Sequence, residues 1–573
     1  MADIVELTKE WIAGDPDPVT RRELSSLLEA GESDDLADRM NGTLTFGTAG
    51  IRGVVEGGSN RMNRATVIRT TAGLAAYLKE STEPKDRLVA IGRDARPSSE
   101  AFMEDAVSVL TAAGFRVRYF AAPTPTPLVA YAGLTMGACA SIVITASHNP
   151  PADNGYKVYA SSGIQIISPA DTEIADHIDL VGRANEIPRT ARPFETPDAQ
   201  PIGDDLFEDY LRDVAADLPG ITGDRSISIV YTAMHGVGGR FVTEALRRFG
   251  FHRVNPVARQ FAPDGTFPTV SFPNPEEPGA LDLAHELAQS VDADLVLAND
   301  PDTDRLAASV PDPGGVWRPL TGNQIGCLLA EFLLSNRESA RDGFVVNSIV
   351  SSPLLSKIAA AHGVVSAQSL TGFKWIWNAA LDLESDGHGS LVLGYEEALG
   401  YSAGSTVRDK DGISAAVAFA VMAAVAAGNN HTVLDLVGDL YRSYGIWGST
   451  QVSIRLDTPD GPETISAMMD ALRSDSPTSI AGRDVVGTTD YLEGASHRPR
   501  YLGATNLMEL DLGDAGRVLA RPSGTEPKLK IYVDLAADFP ASGDWMGAEA
   551  SLLRDAETVG NDLADWLRSA LDN

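Results

Sequence analysis

Three short apolar runs, Ala140 to Ile144, Leu295 to Ala298 and Ser390 to Leu393, each stop abruptly at a loop rich in hydroxyls and charges. Runs of this length, bounded this way, read as buried strands, and the loops that end them are places for chemistry. The first, Thr145-Ala146-Ser147-His148-Asn149-Pro150, sets a serine hydroxyl beside an imidazole. The second, Asp300-Pro301-Asp302-Thr303-Asp304-Arg305, carries three carboxylates at alternate positions. An oxygen nucleophile and a cage for a hard cation are the parts phosphoryl transfer requires.

Strands and helices alternate through most of the chain. A helical pattern from Arg64 to Leu78, a strand at Leu88 to Ile91, a helix from Ser99 to Ala113 and a strand at Arg116 to Phe120 lead to the serine loop. A polar, proline-dotted stretch from Asn185 to Asp204 reads as a linker. Beyond it, a strand at Ile227 to Tyr231 enters the turn His235-Gly236-Val237-Gly238-Gly239 and a helix. The third round has helices over Asn323 to Leu334 and Ser352 to Ala361, strands at Phe344 to Asn347 and Ser390 to Leu393, and an alanine-rich helix over Ala415 to Ala427. The last part changes character: Asn506 to Asp511, Arg517 to Ala520 and Lys528 to Val533 read as a strand meander, followed by an acidic helix from Ala548 to Leu571. The expected fold class is therefore α/β, with three similar α/β domains of mixed sheets and a smaller C-terminal α+β domain, around a central cleft. The boundaries are 1–44 for an N-terminal helical extension, then 45–203, 204–320, 321–440 and 441–573.

Composition narrows the partners. With 46 basic against 79 acidic side chains the formal charge is -33, which argues against nucleic acid and anionic membranes. An anionic substrate would need cations gathered locally. The two cysteines, Cys139 and Cys327, have no metal-binding or disulfide spacing. The N-terminus lacks a signal-peptide pattern, and the longest apolar stretch falls short of the roughly 20 residues that span a bilayer. A cytoplasmic protein, monomeric or homodimeric, is expected.

Each loop has a bland reading. Ser-His-Asn-Pro is good turn chemistry; what favours function is Lys157 in the segment Gly155-Tyr156-Lys157-Val158-Tyr159, which can return an ammonium to the same opening. Three carboxylates this close repel by about 4 kcal/mol per pair at contact distance and moderate dielectric, so they call for a cation, and oxygen-only ligation favours Mg²⁺. An EF-hand is disfavoured by Arg305 and Pro311 at its glycine and glutamate positions, and an aspartate-nucleophile phosphatase motif by Asp304 where Thr or Val belongs. In Gly394-Tyr395-Glu396-Glu397-Ala398-Leu399-Gly400-Tyr401 the paired acids can accept hydrogen bonds from sugar hydroxyls, or can simply offset a helix dipole. Arg521-Pro522-Ser523-Gly524-Thr525-Glu526-Pro527-Lys528 assembles more donors than a turn needs and reads as a phosphate site.

These four loops, in this order, resemble those of the α-D-phosphohexomutase family, which includes phosphoglucomutase and phosphomannomutase. The likeness runs from about Thr45 to Val533, with Phe46-Gly47-Thr48-Ala49-Gly50-Ile51-Arg52-Gly53 and Thr371-Gly372-Phe373-Lys374-Trp375 as further matches, the latter typical of the branch with phosphoglucomutase and phosphopentomutase members. The resemblance implies an intramolecular phosphotransferase that interconverts a hexose 1-phosphate and a hexose 6-phosphate, glucose first and mannose second. It would work through phosphorylated Ser147 and a bisphosphorylated sugar, which also serves as activator in the manner of glucose 1,6-bisphosphate. By the same resemblance Ser147, Asp300, Asp302 and Asp304 hold Mg²⁺, and His148, Lys157 and Arg305 assist the transfer with Arg52 nearby. Lys374, Glu396 and Glu397 recognise the sugar; Arg521, Ser523, Gly524, Thr525 and Lys528 grip the distal phosphate. A phosphopentomutase, or a sugar-phosphate phosphatase, is the alternative. The sugar loop departs from the Glu-x-Ser pattern of the glucose and mannose enzymes by reading Glu-Glu-Ala, so the hydroxyl stereochemistry does not carry over. His235 is expected to be structural.

Overall fold

Ala140–Ile144 is buried along its whole length, because it lies inside a sheet with a neighbour on each side. Leu88–Arg93 pairs with it in parallel, and Asp153–Ala160 pairs antiparallel, so that Ile142 stands opposite Ile91 on one side and Val158 on the other. The sheet runs Ile51–Val54, Asp153–Ala160, Ala140–Ile144, Leu88–Arg93, Arg116–Tyr119, Ala199–Pro201. The helices Arg64–Ser81 and Ser99–Ala112 contribute Leu74 and Val107 to the core formed with Ile142 and Tyr156. The computed structural model describes residues 4–44, 50–218, 220, 223–337, 342–456, 458, 460–523 and 527–571. They form two compact units, one of Met1–Leu320 with Gly400–Ala424 and one of Thr321–Leu399 with Val425–Asn573.

In the first unit the stretch read as a linker does more than connect. Its Ala199–Pro201 is a strand, parallel to Arg116–Tyr119, with Val117 opposite Ala199. Proline has no N–H to give a ladder and is tolerated at an edge, which is why a proline-dotted stretch hides a strand. A second sheet follows, in the order Trp317–Pro319, Ala307–Pro311, Leu295–Ala298, Ile229–Thr232, Val254–Pro256. Ahead of both sheets stand three helices, Ile4–Gly14, Pro18–Ala30 and Ser33–Met40. Arg39, at the end of the third, is buried and ion-paired with Glu23, Asp35 and Glu56, and the Gly57 N–H donates to Glu23 Oε2 at 3.0 Å.

The second unit has Gly343–Ser348 parallel to Val365–Ser369 and to Ser390–Glu396. Helix Gly322–Ser335 starts on a capping box, Thr321 and Gln324 satisfying each other's backbone N–H. The C-terminal sheet is antiparallel, in the order Ile446–Arg455, Lys528–Ala537, Gly516–Pro522, Met508–Asp511, Gly487–Asp490. Its long first strand escaped sequence reading because Gly448-Ser449-Thr450-Gln451 separates Ile446 and Trp447 from the short alternation of Val452 and Ile454. Helix Trp545–Ser569 lies against it, with Gly448 close to Leu552. Among the described residues no single helix is long and apolar enough to cross a membrane.

One buried side chain ties the two sheets of this unit together. Arg517 Nε donates to Asp534 Oδ2 at 3.0 Å, and its Nη2 donates to the carbonyls of Ile349 at 2.9 Å and Ser351 at 2.8 Å. Asp534 is buried, so removing the guanidinium strands a carboxylate and two carbonyls. Arg517→Met is expected to destabilise the second unit by about 3–5 kcal/mol, read as a lower urea midpoint with an unaltered slope; an unchanged midpoint would show that the latch contributes nothing.

Candidate active site

Strand Ala140–Ile144 ends two residues before Ala146, and the chain then turns with Ser147 at φ +53°. A non-glycine residue in that region costs roughly 1–3 kcal/mol, and local bonds hold it there. The Ser147 N–H donates to Thr145 Oγ1 at 2.8 Å. Ser147 is 2 % exposed; its hydroxyl donates to Asp300 Oδ2 at 2.9 Å and lies 3.2 Å from His148 Nδ1. The neighbouring strand returns beneath the loop, and register sets Lys157 opposite Val143, which delivers its ammonium to the same place.

The aspartate loop is fixed by close backbone packing. A side chain at Gly236 would put a Cβ 2.5 Å from Pro301 Cα, and one at Gly412 would meet the carbonyl oxygens of Arg305 and Thr303 at 2.4 and 2.7 Å. The Val237 N–H donates to Pro301 O at 2.8 Å. Thr303 adopts φ +63°, which turns the three carboxylates inward, and all three are buried. Lys157 Nζ donates to Asp302 Oδ2 at 2.6 Å and Asp304 Oδ2 at 3.0 Å. Lys410 Nζ stands 3.2 Å from Asp304 Oδ2, Thr126 Oγ1 donates to Asp302 Oδ2 at 2.7 Å, and the Arg305 N–H donates to Asp300 Oδ1 at 3.0 Å.

This asymmetry separates the carboxyl groups. Burial and repulsion from Asp302 and Asp304 push the Asp300 pKa well above the carboxylate range. Burial would raise Asp302 as well, but the Lys157 ammonium and the hydrogen bonds it receives outweigh it and hold Asp302 well below that range. Burial opposes the Lys157 charge, yet Asp302 and Asp304 overcome it and keep its pKa raised, so Lys157 is an ammonium. His148 goes the other way: burial, then the guanidiniums of Arg305 and Arg52, push its pKa well down. Arg52 Nη1 reaches Asn149 Oδ1 at 3.4 Å, and Arg305 Nη1 lies 3.5 Å from Glu276.

The three carboxylates fit a hard divalent cation. One oxygen from each lies within 4.8 Å of the others, and Asp302 Oδ1 and Asp304 Oδ1 are buried with no donor among the described residues. Buried carboxylate oxygens without partners are costly, and oxygen ligands in this number suit Mg²⁺.

The first unit thus brings together Ser147, His148, Lys157, Asp300, Asp302, Asp304, Arg305 and Arg52. The other expected residues lie in the second unit. There Glu396 Oε1 accepts the Gly372 N–H at 2.7 Å, at the start of the helix Phe373–Ser385 that carries buried Lys374. Glu397 Oε2 accepts from Ser348 Oγ and Ser351 Oγ, both at 3.1 Å, and its N–H donates to Ser351 Oγ at 3.0 Å. No helix begins at the paired acids; the chain turns, with Leu399 at φ +62°, so dipole compensation is not their role. Burial, with Glu397 next, raises the Tyr532 phenol, and Arg521 opposes them. The Ser523 N–H donates to Lys528 O at 2.8 Å. Gly524 and Thr525 fall outside the described residues, as do Phe46 to Ala49. His235, at φ +61°, pairs Nε2 with Thr269 Oγ1 at 2.8 Å and braces the turn. Sequence reasoning missed Lys410, Thr126 and Arg96, whose partners are remote in the chain.

The chemistry this geometry supports is phosphoryl transfer to and from a serine oxygen. Residues 43–182, 208–314 and 321–444 match the profiles of the phosphoglucomutase/phosphomannomutase alpha/beta/alpha domains I, II and III, and residues 489–538 match that of its C-terminal domain. The chain is 39% identical over 494 residues to a Haemophilus influenzae protein named "Probable phosphomannomutase", covering 85% of this chain and 96% of that one. It is 34% identical over 570 residues to mouse phosphopentomutase, covering 94% and 91%. The structure of Paramecium parafusin, a phosphoglucomutase, shares the fold with a TM-score of 0.67 at 18% identity, covering 92% of this chain and 95% of that one. The chain belongs to the phosphoglucomutase/phosphomannomutase family, whose members are phosphosugar mutases.

Proposed function

We propose that the protein interconverts a hexose 1-phosphate and a hexose 6-phosphate through a phosphoryl group carried on Ser147. The observation that carries this reading is the buried Ser147 hydroxyl, 2.9 Å from Asp300 in a loop of three converging carboxylates and 3.2 Å from an imidazole nitrogen. In the phosphorylated protein a sugar hydroxyl oxygen forms the new O–P bond as the bond to Ser147 Oγ breaks. His148 Nδ1, beside Oγ, is placed to take the hydroxyl proton and hand it to the departing Ser147 oxygen. The bisphosphorylated sugar then returns the phosphoryl of its other end to Ser147 and receives the proton back. Lys157, Arg305 and Arg52 offset the charge spread over the transferring oxygens.

Asp300, Asp302 and Asp304, with the serine oxygen, would hold Mg²⁺, which when bound supplies charge neutralisation at the phosphoryl oxygens. Lys374, Glu396 and Glu397 are read as sugar contacts, and Arg521, Ser523, Gly524, Thr525 and Lys528 as the grip on the non-reacting phosphate. The Ser348 and Ser351 hydroxyls hold the Glu397 carboxylate in one orientation, as stereospecific recognition of hydroxyls requires.

A pentose substrate is the second reading. It is favoured by the mouse phosphopentomutase aligning with 94% of this chain, against 85% for the phosphomannomutase relative, and by Ala398 where glucose and mannose enzymes of the resemblance carry serine. A panel of glucose, mannose and ribose 1-phosphates, assayed with catalytic bisphosphate and Mg²⁺, decides between them. Hexose phosphates are expected to show the highest kcat/KM; the highest value for ribose 1-phosphate would replace the hexose reading with the pentose one.

Ser147→Ala is expected to lower turnover by at least about 10⁴-fold while sugar-phosphate binding by calorimetry stays near wild type, since the variant loses a covalent carrier and keeps the binding groups. Substantial turnover in that variant would remove Ser147 from the mechanism. Asp302→Asn is expected to raise the magnesium concentration for half-maximal activity by about 10-fold or more. A magnesium titration that does not move would place the metal elsewhere.

A further inference from the structure

We infer that Arg96 is a positioning residue for phosphoryl transfer: it holds the serine loop in its reactive shape and sets that loop against the aspartate loop. The inference rests on the reading of Ser147 as the phosphoryl carrier. Arg96 is 2 % exposed and spends all four terminal N–H groups on main-chain oxygens of the serine loop and of Asp153, where the next strand starts. Nη2 donates to Ser147 O at 2.8 Å and Asn149 O at 2.7 Å, and Nη1 to Pro150 O at 2.6 Å and Asp153 O at 2.8 Å. Four carbonyls aimed at one point, that of buried Ser147 among them, repel unless donors meet each of them. A planar fork does this with fixed angles, whereas a lysine ammonium offers three donors from a single centre. The carbonyl of Ser147 is one of the four, so the guanidinium bears directly on the residue held at φ +53°.

Arg96 is itself gripped from two sides. Its own N–H donates to Asp94 Oδ1 at 2.9 Å, and Nε lies 3.2 Å from Asp94 Oδ2. The segment Asp264 to Phe267 closes over it: the guanidinium sits 5.2 Å from the Phe267 ring centre, and a Cβ on Gly265 would come within 2.3 Å of Arg96 Cα. That segment hangs from the turn at His235, through the Asp264 N–H to His235 O at 2.8 Å, and the next residue, Gly236, packs on Pro301. A continuous run of contacts therefore joins the aspartate loop to the serine loop through Arg96, independent of the Ser147–Asp300 hydrogen bond. Arg96 touches no reacting atom.

The test compares Arg96→Lys, Arg96→Gln and Phe267→Leu with wild type and with Ser147→Ala. It measures kcat, KM, melting temperature and the rate at which Ser147 becomes phosphorylated by a bisphosphorylated sugar, followed by mass spectrometry. In Arg96→Lys, kcat and the phosphorylation rate are expected to fall together by about 100-fold, the scale of a misplacement near 1 Å, while KM stays within about 3-fold. Phe267→Leu is expected to show the same pattern, several-fold in size, because it loosens the guanidinium and leaves the loop untouched. A folded Arg96→Lys whose kcat matches wild type, with or without a lower melting temperature, overturns the inference and leaves Arg96 merely structural. Should the Arg96 variants fail to fold, an unchanged kcat in Phe267→Leu overturns it. Turnover by Ser147→Ala would instead sink the underlying functional reading, and the inference with it.

Discussion

Three carboxylates packed inside a protein must be compensated, and the first unit is organised around doing so. Lys157 supplies the nearest positive charge, and register delivers it: a strand antiparallel to the one that ends in the serine loop brings residue 157 alongside residue 143. The compensation is partial by construction. Lys157 and Lys410 engage the Oδ2 atoms of Asp302 and Asp304, while the corresponding Oδ1 atoms meet no donor among the described residues. A site balanced this way is stable enough to preform and retains oxygens for a further cation.

The same arrangement resolves the conflict between an acidic chain and an anionic substrate. A formal charge of -33 repels phosphate esters at long range, but screening confines that field to about a Debye length. Inside the first unit Arg52, Arg96, Lys157, Arg305 and Lys410 gather around one serine. The second unit has basic residues of its own, among them Lys374, Arg521 and Lys528. Each unit carries its own cations, so local attraction does not depend on the net charge.

What could be read from sequence was whatever is contiguous. The serine, aspartate, glutamate and arginine loops each carry their chemistry within eight residues or fewer, after strands whose apolar runs announce them. Lys157 was legible because it sits on the next strand. Arg96 was not, since a guanidinium that serves backbone carbonyls can serve any sequence with the right shape. Thr126 reaches an aspartate 176 residues away, and Lys410 reaches Asp304 from a segment without motif character. The strand Ala199–Pro201 was hidden by the proline that marks an edge, and the strand Ile446–Arg455 by the polar stretch from Gly448 to Gln451 that interrupts its apolar positions. Fold class follows from periodicity that many residues share; a bond between two distant side chains leaves no periodic trace.

The three leading helices have a bearing on how the chain can be shortened. Arg39 is held by Glu23 and Asp35 from within them and by Glu56 from the body of the unit, and Glu23 also receives the Gly57 N–H. Residues 56 and 57 follow one residue after Ile51–Val54, the strand bearing Arg52. A fragment trimmed to begin at residue 45 would leave Glu56 with Arg61 alone and Gly57 without its acceptor, loosening the edge from which Arg52 projects. Minimal versions of this enzyme should keep the leading helices, although none of their side chains belongs to the proposed chemistry.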